Sequence, residues 1–530
     1  MLDFLIKDAT IYDGSGYTPY RGSVGITGDL ISGIYKGNGN LPDAKRTIHA
    51  KGLALTPGFI DTHASTGFGF FFPRAADHKL YQGITTEIFG NCGTSPAPID
   101  KYLVQTMQKL SKELAFDFNW KSLGEYFEIL EKIGIQFNVA TLTGHSTLRG
   151  GALKEWTTVL SGENEHMKSS MEESMKDGSL GLSTGLIYAP GCFANTDEII
   201  ELAKIAKKNG GIYASHMRDE RDKLEEAIEE TLTIGEEAEI NVLVSHLKSA
   251  EKRNYGKIEN VLKRLDEYNK THIQQAKIDV YPYTAVSTKL RAFIPKKFME
   301  GGLSEVKERL NSPKVVDEIA KYIIDRDYDL TQMVIISNDY KEWEGKTIHL
   351  IAEEFSWSLA TTICEILKRD TEMWIVYHCI DQADIDKAIT WKNAMICTDS
   401  WSHPINAPKR IGVPHPRSYG AFTEFIYQYV FQKKSLSFEE AIRKITSMPA
   451  EYFNIMGRGT IKEGYNADIV LFEKDKIKPM ATYSNPCELS DGVEHLWVNG
   501  TLVIETGVIN DLTPGTVIRN NQNFIGENNS

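Results

Sequence analysis

The stretch TPGFIDTHAS, residues 56 to 65, decides the fold prediction. It follows an apolar run, turns at a Pro-Gly pair and ends abruptly on His63. A strand that ends on a histidine is typical of (β/α)₈ barrels, which gather metal ligands at the carboxyl ends of their strands. Ser65 stands where a second histidine would complete a His-x-His pair. The stretch therefore predicts a barrel strand that presents one metal-type ligand.

Beyond this stretch, apolar runs alternate with longer amphipathic helical segments, a pattern that indicates a parallel α/β fold. The later candidate strands are TTEIFGNCG (85–93), FNVATLTGHS (137–146), SLGLSTGLIY (179–188), GGIYASHMRDE (210–220), INVLVSHLKS (240–249), AKIDVYPYT (276–284), QMVIIS (332–337), EMWIVYHC (372–379) and NAMICTDS (393–400). Ten candidates for an eight-stranded barrel imply that about two belong to an insertion. The charged helical block at about 291–357 is the predicted insertion, and we expect it to act as a lid.

Both ends of the chain carry short alternating segments separated by Gly and Asp, which are hairpin signals. Neither end alone has enough strands for a core, so we predict one β-sandwich built from residues 1–54 and 456–520. The barrel then occupies 55–455, and 521–530 form a polar tail.

Composition narrows the class of function. The 530 residues carry a net charge of −13, and this balance argues against nucleic-acid binding, which needs a basic face. Six cysteines without a Cys-x-x-Cys pair predict a reduced, cytoplasmic protein. The chain shows no signal-peptide pattern and no apolar run of membrane-spanning length, so we expect no membrane partner. Oligomeric state stays open.

Five polar residues follow successive apolar runs at the same phase: His63, Cys92, His216, His246 and Asp399. A barrel brings the carboxyl ends of its strands to one mouth, so these side chains are expected to converge. Cysteine and two histidines suit one Zn²⁺ with an open position for water. Zinc lowers the pKa of that water toward ~7, and an aspartate can serve as base and then as acid.

Each of these residues alone has a simpler explanation. A histidine at a strand end is often a hydrogen-bonded structural residue, and a cysteine in a Gly-rich turn is often only small and buried. Asp399 alone could be an ordinary turn residue or helix cap. Joint occurrence at one phase of successive strands favours the functional interpretation.

The chain also resembles the N-acyl-D-amino-acid deacylase (D-aminoacylase) family of the amidohydrolase superfamily along nearly its whole length. The motifs that carry the resemblance are PGFIDTH, GITTEIFGNCGTSPAP, GHSTLR, GLSTGLIYAPGCFANTDEI, YASHMRDE, SHLKS, DVYPYTA, CTDS, HPRSYGAF, TSMPAEYF and RGTIKEGYNADIVLF. The resemblance implies a (β/α)₈ barrel with a β-sandwich, a catalytic zinc, and hydrolysis of N-acyl-D-amino acids by metal-activated water. It also implies a small-molecule substrate as the partner.

The resemblance assigns roles residue by residue. Cys92, His216 and His246 match the tight zinc ligands, and His63 matches a weak or second site. Asp399 matches the general base and acid.

Further matches lie on the substrate side. Arg417 matches the residue that holds the substrate carboxylate, and a guanidinium fork suits that task. Tyr188 matches the residue that polarises the scissile carbonyl, although a loop aromatic packing under Pro190 is its simpler explanation. Lys248 and Tyr283 match substrate-binding positions, and Lys248 could equally be a solvated lysine. His145 is predicted to be adjacent to substrate or structural.

Two departures from the family pattern matter. Ser65 is a poor zinc ligand, so we expect one tight zinc and an impaired or absent second site. Seventeen residues separate Asp399 from Arg417, so the loop 400–416, with Lys409 and Arg410, is enlarged relative to the family.

Two other functions remain as alternatives. A cyclic-amide hydrolase of the dihydropyrimidinase or dihydroorotase kind would need a carboxylated lysine on the fourth strand, where GLSTG has none. A metal-poor scaffold paralogue is motivated by Ser65 but is disfavoured by the full set of chemical residues. The preferred side chain and acyl group stay open, because basic residues and the aromatic run after His63 point in different directions.

Overall fold

The computed structural model of the chain describes residues 1–37, 40–72, 74–75, 77–104, 107–108, 116–154, 156, 163–337, 339–401 and 414–520. Its strands are β1 (Leu2–Ile11), β2 (Tyr20–Thr27), β3 (Leu30–Lys36), β4 (Ala44–His49), β5 (Ala54–Pro57), β6 (Phe59–Asp61), β7 (Ile84–Phe89), β8 (Asn138–Thr141), β9 (Thr143–Gly144), β10 (Gly181–Gly185), β11 (Ile212–His216), β12 (Val242–Val244), β13 (Ala276–Val280), β14 (Ala285–Lys289), β15 (Met333–Ile336), β16 (Trp374–His378), β17 (Ala394–Ile396), β18 (Ile469–Phe472), β19 (Val493–Val498), β20 (Thr501–Glu505) and β21 (Val508–Ile509). Its α-helices within these ranges are Asp77–Leu80, Leu123–Ile133, His145–Ala152, Glu163–Asp177, Thr196–Lys208, Leu224–Glu237, Lys257–Thr271, Leu303–Arg309, Pro313–Arg326, Ile348–Phe355, Leu359–Arg369, Gln382–Thr390, Arg417–Ile426, Phe438–Ile445 and Ser447–Tyr452. Helices alternate with parallel strands between β6 and β17, so the predicted α/β class is confirmed.

The parallel strands form two groups whose edges meet. Strands β6, β7 and β8 pair in parallel, and a second parallel sheet has the order β17-β13-β12-β11-β10-β9. Only Leu142 separates β8 from β9, and its N–H donates to the Phe89 carbonyl at 2.9 Å. At the other edge, Ala64 after β6 and Ser400 after β17 form a parallel bridge. The carboxyl ends of these strands therefore lie on the same side.

Two of the ten predicted strands lie outside the parallel groups. QMVIIS and EMWIVYHC form β15 and β16, which pair antiparallel with each other. Strand β14 pairs antiparallel with the other edge of β16, with Val286 opposite Tyr377. The segment of the chain between β13 and β17 forms this three-stranded sheet and its helices.

The two ends of the chain share one nine-stranded sheet. Its order is β21-β20-β19-β18-β5-β1-β2-β3, with β4 beside β1. The ends meet where β5 and β18 pair antiparallel, with Leu55 opposite Leu471. Buried residues from both ends, including Ile6, Val24 and Trp497, fill one hydrophobic core under this sheet.

Local sequence signals account for the helix boundaries. The helix in NTDEIIELAKIAKKNG begins at Thr196, because the Asn195 side chain accepts the Glu198 N–H at 2.8 Å as an N-cap. The apolar-periodic segment 437–454 forms two helices, since the backbone breaks at Thr446 (φ −132°, ψ −85°). In the described ranges, no helix is long and apolar enough to cross a bilayer.

Candidate metal-binding active site

The five residues singled out at strand ends lie together in the structure. His63 follows β6, Cys92 follows β7, His216 ends β11, and His246 and Asp399 follow β12 and β17. Cys92, His246 and Asp399 have positive φ angles of 52°, 35° and 45°. Left-handed backbone at non-glycine residues is uncommon and clusters at functional sites, where it redirects a side chain after a strand.

The Cys92 thiol is the centre of this group. Its Sγ lies 3.2 Å from His63 Nε2, 3.4 Å from His216 Nδ1 and 3.4 Å from His246 Nε2. Asp399 Oδ1 is 3.6 Å from His63 Nε2. The ligand-type atoms of His63, Cys92, His246 and Asp399 all lie within 4.8 Å of one another. Four elements far apart in sequence thus present metal donors to one point.

The donor set fits a zinc ion. In a tetrahedral site with Zn–S near 2.3 Å and Zn–N near 2.05 Å, the sulfur and nitrogen atoms are about 3.5 Å apart. The distances from Cys92 Sγ to His216 Nδ1 and His246 Nε2 are 3.4 Å. Thiolate and imidazole are ligands that zinc prefers. The chemistry of the three donors and the two sulfur–nitrogen distances therefore agree with a zinc site.

The pKa shifts of Cys92 and His216 favour the protonation states that bind metal. Burial opposes ionisation of Cys92, but His63 and His246 outweigh it and lower the pKa of the thiol. Burial lowers the pKa of His216 to about 4, so its imidazole is neutral at neutral pH. A thiolate and a neutral imidazole are the forms that bind metal.

On the sides turned away from Cys92, His216 and His246 both lie next to Glu220, and His246 also lies next to Lys248. Glu220 Oε1 is 3.0 Å from His246 Nδ1, and Oε2 is 3.8 Å from His216 Nε2. Lys248 Nζ is 2.6 Å from Glu220 Oε1 and 2.7 Å from His246 Nδ1. An ammonium group occupies this side, so a cation fits better on the side of Cys92.

Asp399 and Arg417 form a buried ion pair beside the donors. Arg417 is 5% exposed, and its Nη1 lies 3.0 Å from Asp399 Oδ2, at ion-pair distance but without hydrogen-bond geometry. Its guanidinium stacks over the Tyr281 ring at 4.6 Å. Burial would raise the pKa of Asp399, but Arg417 and the nearby histidines lower it to about 2. The carboxylate is therefore ionised at neutral pH.

The two tyrosines of the predicted site have different surroundings: Tyr188 packs against His216, and Tyr283 packs against His415 at 5.3 Å. The Tyr188 hydroxyl shares a 2.6 Å hydrogen bond with Thr288 of β14, and its ring packs edge-on against His216 at 5.0 Å. Burial raises the pKa of Tyr188, so the phenol keeps its proton. The Tyr283 hydroxyl is buried and forms no hydrogen bond with any described residue. Strand β14 thus connects the three-stranded sheet to the site.

His145 lies in a buried ion cluster of its own. Its Nε2 is 2.8 Å from Glu198 Oε1, and Arg149 Nε donates to the same oxygen at 3.0 Å. All three side chains are almost fully buried. These contacts are consistent with the structural alternative for His145, and a substrate contact through His145 stays a prediction.

The sequence did not single out Asp279, which lies in β13 beneath the site. Its carboxylate accepts the His246 backbone N–H, and its Oδ2 is 3.5 Å from His63 Nδ1. The residue is fully buried. The sequence feature that could have indicated this role is an acidic residue inside the largely buried strand AKIDV.

A second group missed in the sequence is the buried cation Lys79. Its Nζ contacts Asp61 Oδ2 at 2.6 Å, Glu87 Oε2 at 3.2 Å and Thr398 Oγ1 at 2.7 Å. Asp61 also accepts the Thr398 N–H at 2.9 Å. The cluster therefore joins the strand end before His63 to the segment just before Asp399.

The loop 400–416, which is predicted to be enlarged, lies mostly outside the described residues, which omit 402–413 and with them Lys409 and Arg410. Ser65 is described and is half-buried. Its N–H donates to the Ser400 carbonyl at 3.0 Å.

Comparisons with known proteins agree with this geometry. A family model described as Amidohydrolase family matches residues 407–504. The N-acyl-D-aspartate deacylase of Alcaligenes xylosoxydans xylosoxydans is 30% identical over 525 residues, which cover 97% of this chain and 95% of that protein. A crystal structure of N-acyl-D-glutamate deacylase from Bordetella bronchiseptica, complexed with zinc and a phosphonate inhibitor, matches with a TM-score of 0.82 and 28% identity over 98% of this chain and 99% of that one. D-hydantoinase from Thermus sp. matches with a TM-score of 0.56 and 16% identity over 97% of this chain and 98% of that one, which shows the fold alone.

The α/β fold with metal-type residues at the carboxyl ends of its strands is that of an amidohydrolase. The 30% identity to the aspartate deacylase extends over nearly the full length of both chains. The chain therefore belongs to the N-acyl-D-amino-acid deacylase (D-aminoacylase) family of the amidohydrolase superfamily. The family prediction made from the sequence motifs is confirmed.

Proposed function

We propose that the chain is a zinc-dependent hydrolase that cleaves the amide bond of N-acyl-D-amino acids and releases a carboxylate and a free D-amino acid. The observation that carries this proposal is the convergence of Cys92, His216 and His246 next to the Asp399–Arg417 pair. The names of the relatives, deacylases of N-acyl-D-aspartate and N-acyl-D-glutamate, support the substrate class, and the crystal structure of the latter contains zinc.

Cys92, His216 and His246 are the residues that would hold one tight zinc, with His63 as a weak or second-site ligand. Zinc in such a site supplies Lewis acidity and lowers the pKa of a bound water toward ~7. Ser65 supplies no imidazole, so the chain lacks the ligand set for a strong second site.

Asp399 is the proposed general base and then general acid. Its carboxylate is ionised at neutral pH, because Arg417 and the histidines outweigh the effect of burial. It accepts a proton from the attacking water and returns that proton to the nitrogen of the leaving amine. Its position after β17 places it beside His63, within reach of the same point as the metal donors.

Arg417, Tyr283 and Lys248 form the proposed site for the substrate's free carboxylate. Arg417 Nε and the Tyr283 hydroxyl are buried, and neither has a hydrogen-bond partner among the described residues. A buried polar group without a partner is costly, and a substrate carboxylate beside Arg417 would satisfy its Nε. The Lys248 ammonium adds positive charge, although Glu220 already balances it.

Tyr188 is the proposed hydrogen-bond donor to the scissile carbonyl. Thr288 can donate to the phenol oxygen, which leaves the phenolic proton available for the substrate. A protonated phenol aimed at the oxygen where negative charge develops stabilises the tetrahedral intermediate.

We propose further that the parallel strands close into a (β/α)₈ barrel and that the nine-stranded sheet is the β-sandwich domain. The hydrogen bonds around Leu142 and the bridge between Ala64 and Ser400 support closure. The block at about 291–357, which lies between β14 and β16, is the proposed lid. All six cysteines are free thiols, which supports a reducing, cytoplasmic setting.

Metal analysis with a kinetic panel tests the function. We expect about one tightly bound zinc per chain and release of free amino acid from N-acetyl-D-amino acids, but not from the L-enantiomers or from hydantoin. Cys92→Ala and Asp399→Asn should each abolish turnover, and Cys487→Ala, at an exposed thiol, should leave turnover unchanged. Zinc-saturated protein that hydrolyses no N-acyl-D-amino acid contradicts the proposal.

A further inference from the structure

Glu220 is a buried carboxylate that the proposed chemistry does not use. It is the last residue of HMRDE, four residues after the candidate ligand His216, and it is 7% exposed. Burying a carboxylate is costly unless charged or hydrogen-bonding groups surround it. Its surroundings therefore indicate what it stabilises.

Glu220 faces the outer ring nitrogens of two candidate zinc ligands, His246 and His216. Glu220 Oε1 is 3.0 Å from His246 Nδ1, and Oε2 is 3.8 Å from His216 Nε2. These nitrogens are opposite to His246 Nε2 and His216 Nδ1, which face Cys92 Sγ. His216 Nε2 is buried and has no hydrogen-bond partner among the described residues. One carboxylate thus faces the outer nitrogens of both imidazoles.

A neighbouring ammonium group means that the imidazole proton of His246 has two alternative positions, Nδ1 and Nε2. Lys248 Nζ is 2.7 Å from His246 Nδ1, and an ammonium can only donate. If Lys248 donated to Nδ1, the imidazole proton would lie on Nε2 and remove the lone pair that faces Cys92. Glu220 accepts from Lys248 at 2.6 Å and can accept from Nδ1 as well.

We propose that Glu220 is a positioning residue of the metal centre: by accepting the N–H of His246 Nδ1 and facing His216 Nε2, it keeps the lone pairs of both imidazoles directed to the metal side. This inference rests on the zinc site of the proposed function. A carboxylate that binds the outer nitrogen of a ligand histidine fixes the ring and raises its basicity, and its loss typically weakens metal binding by about 10- to 100-fold.

The test is zinc affinity of the full-length protein, measured by competition with a fluorescent chelator in the absence of substrate. Glu220→Gln should weaken zinc binding by about 10- to 100-fold. At saturating Co²⁺, the variant should keep the thiolate-to-cobalt absorption band, because Cys92 still binds. Asp219→Asn is the matched control, since Asp219 lies in the same loop and its Oδ1 accepts the Arg221 N–H rather than a histidine; its zinc affinity should stay within about twofold of wild type.

A double variant separates positioning from simple charge imbalance. Glu220→Gln leaves Lys248 buried without its counter-ion, whereas Glu220→Gln with Lys248→Met removes both charges. The double variant should remain at least about tenfold weaker for zinc, because neither imidazole then has the Glu220 carboxylate at its outer nitrogen. Recovery of wild-type affinity in the double variant, or an equal loss in Asp219→Asn, overturns the assignment. Wild-type protein that binds zinc but cleaves no N-acyl-D-amino acid would refute the proposed function alone.

Discussion

Replacing Arg417 by lysine tests whether the guanidinium recognises the substrate carboxylate. The side chain is 5% exposed, is held by Asp399 at 3.0 Å, and stacks over Tyr281 at 4.6 Å. Its Nε has no hydrogen-bond partner among the described residues, so the fork has a donor available for substrate. Lysine keeps the positive charge but presents a single compact group that cannot bind a carboxylate bidentately.

The size of the effect follows from the lost donor. A hydrogen bond to a charged group contributes about 1.5–3 kcal/mol. At about 1.4 kcal/mol per tenfold change, kcat/KM for an N-acetyl-D-amino acid should fall by roughly 10- to 150-fold. The charge on Asp399 stays compensated in this variant, because lysine is also cationic, so loss of the base should contribute little.

The assay compares each substrate with its carboxamide, which lacks the negative charge. Wild-type enzyme should strongly prefer the free acid. In Arg417→Lys this preference should shrink: kcat/KM should fall by the full amount for the acid and by less than about threefold for the carboxamide. The two losses differ because the carboxamide already lacks the interaction that the variant removes. Arg458→Lys is the control, since Arg458 is also buried and ion-paired, with Asp468 in the terminal sheet.

Equal losses for acid and carboxamide would refute the reasoning. Arg417 would then act through Asp399 or through its packing on Tyr281, and the substrate carboxylate would have another partner. A loss of the same size in Arg458→Lys would instead indicate general damage to the fold.

Three further predictions concern other parts of the site. Ser65→His should add a second zinc per chain at saturating metal, measured by elemental analysis, with little change in the first; unchanged stoichiometry contradicts the account of this position. Lys79→Met leaves Asp61 and Glu87 buried without a cation and should destabilise the fold by about 3–5 kcal/mol in urea denaturation at pH 8. Burial already raises the pKa of Glu87, and protonation below that pKa removes the uncompensated charge, so the deficit should shrink from pH 8 to pH 5; a pH-independent deficit contradicts this assignment. Tyr188→Phe should lower kcat by roughly 10²- to 10³-fold with KM little changed in steady-state assays, and an unchanged kcat would exclude the phenol as carbonyl donor.

Strand ends were the part of the site that the sequence could predict. His63, Cys92, His216, His246 and Asp399 each follow an apolar run, and parallel strands bring such positions to one side of the sheet. The structure places their donor atoms within a few ångströms of Cys92 or of one another. Periodicity and residue type were sufficient to bring these positions to one edge of the sheet, whereas the left-handed turns that aim three of the side chains had no sequence signal.

Contacts between side chains were the part that the sequence could not predict. Glu220 stands in the run RDERDKLEE, where many acidic residues look alike and only the fold shows which one is buried. Lys79 looks like a surface residue of a short helix, yet it is fully buried between two carboxylates. The pairing of Arg417 with Asp399 spans seventeen intervening residues and has no local signal.

The left-handed backbone conformations of Cys92, His246 and Asp399 explain how the donor side chains converge. Such φ angles persist only where the surroundings hold them. The Asp279 carboxylate accepts the N–H of His246, and the His63 carbonyl accepts the N–H of Asp399 at 2.9 Å. Gly185 completes the support, because a Cβ there would lie 2.2 Å from the Cys92 carbonyl oxygen and push the thiol turn away. Contacts from neighbouring strands and strand ends thus hold these three residues in the left-handed conformations that direct their side chains to the site.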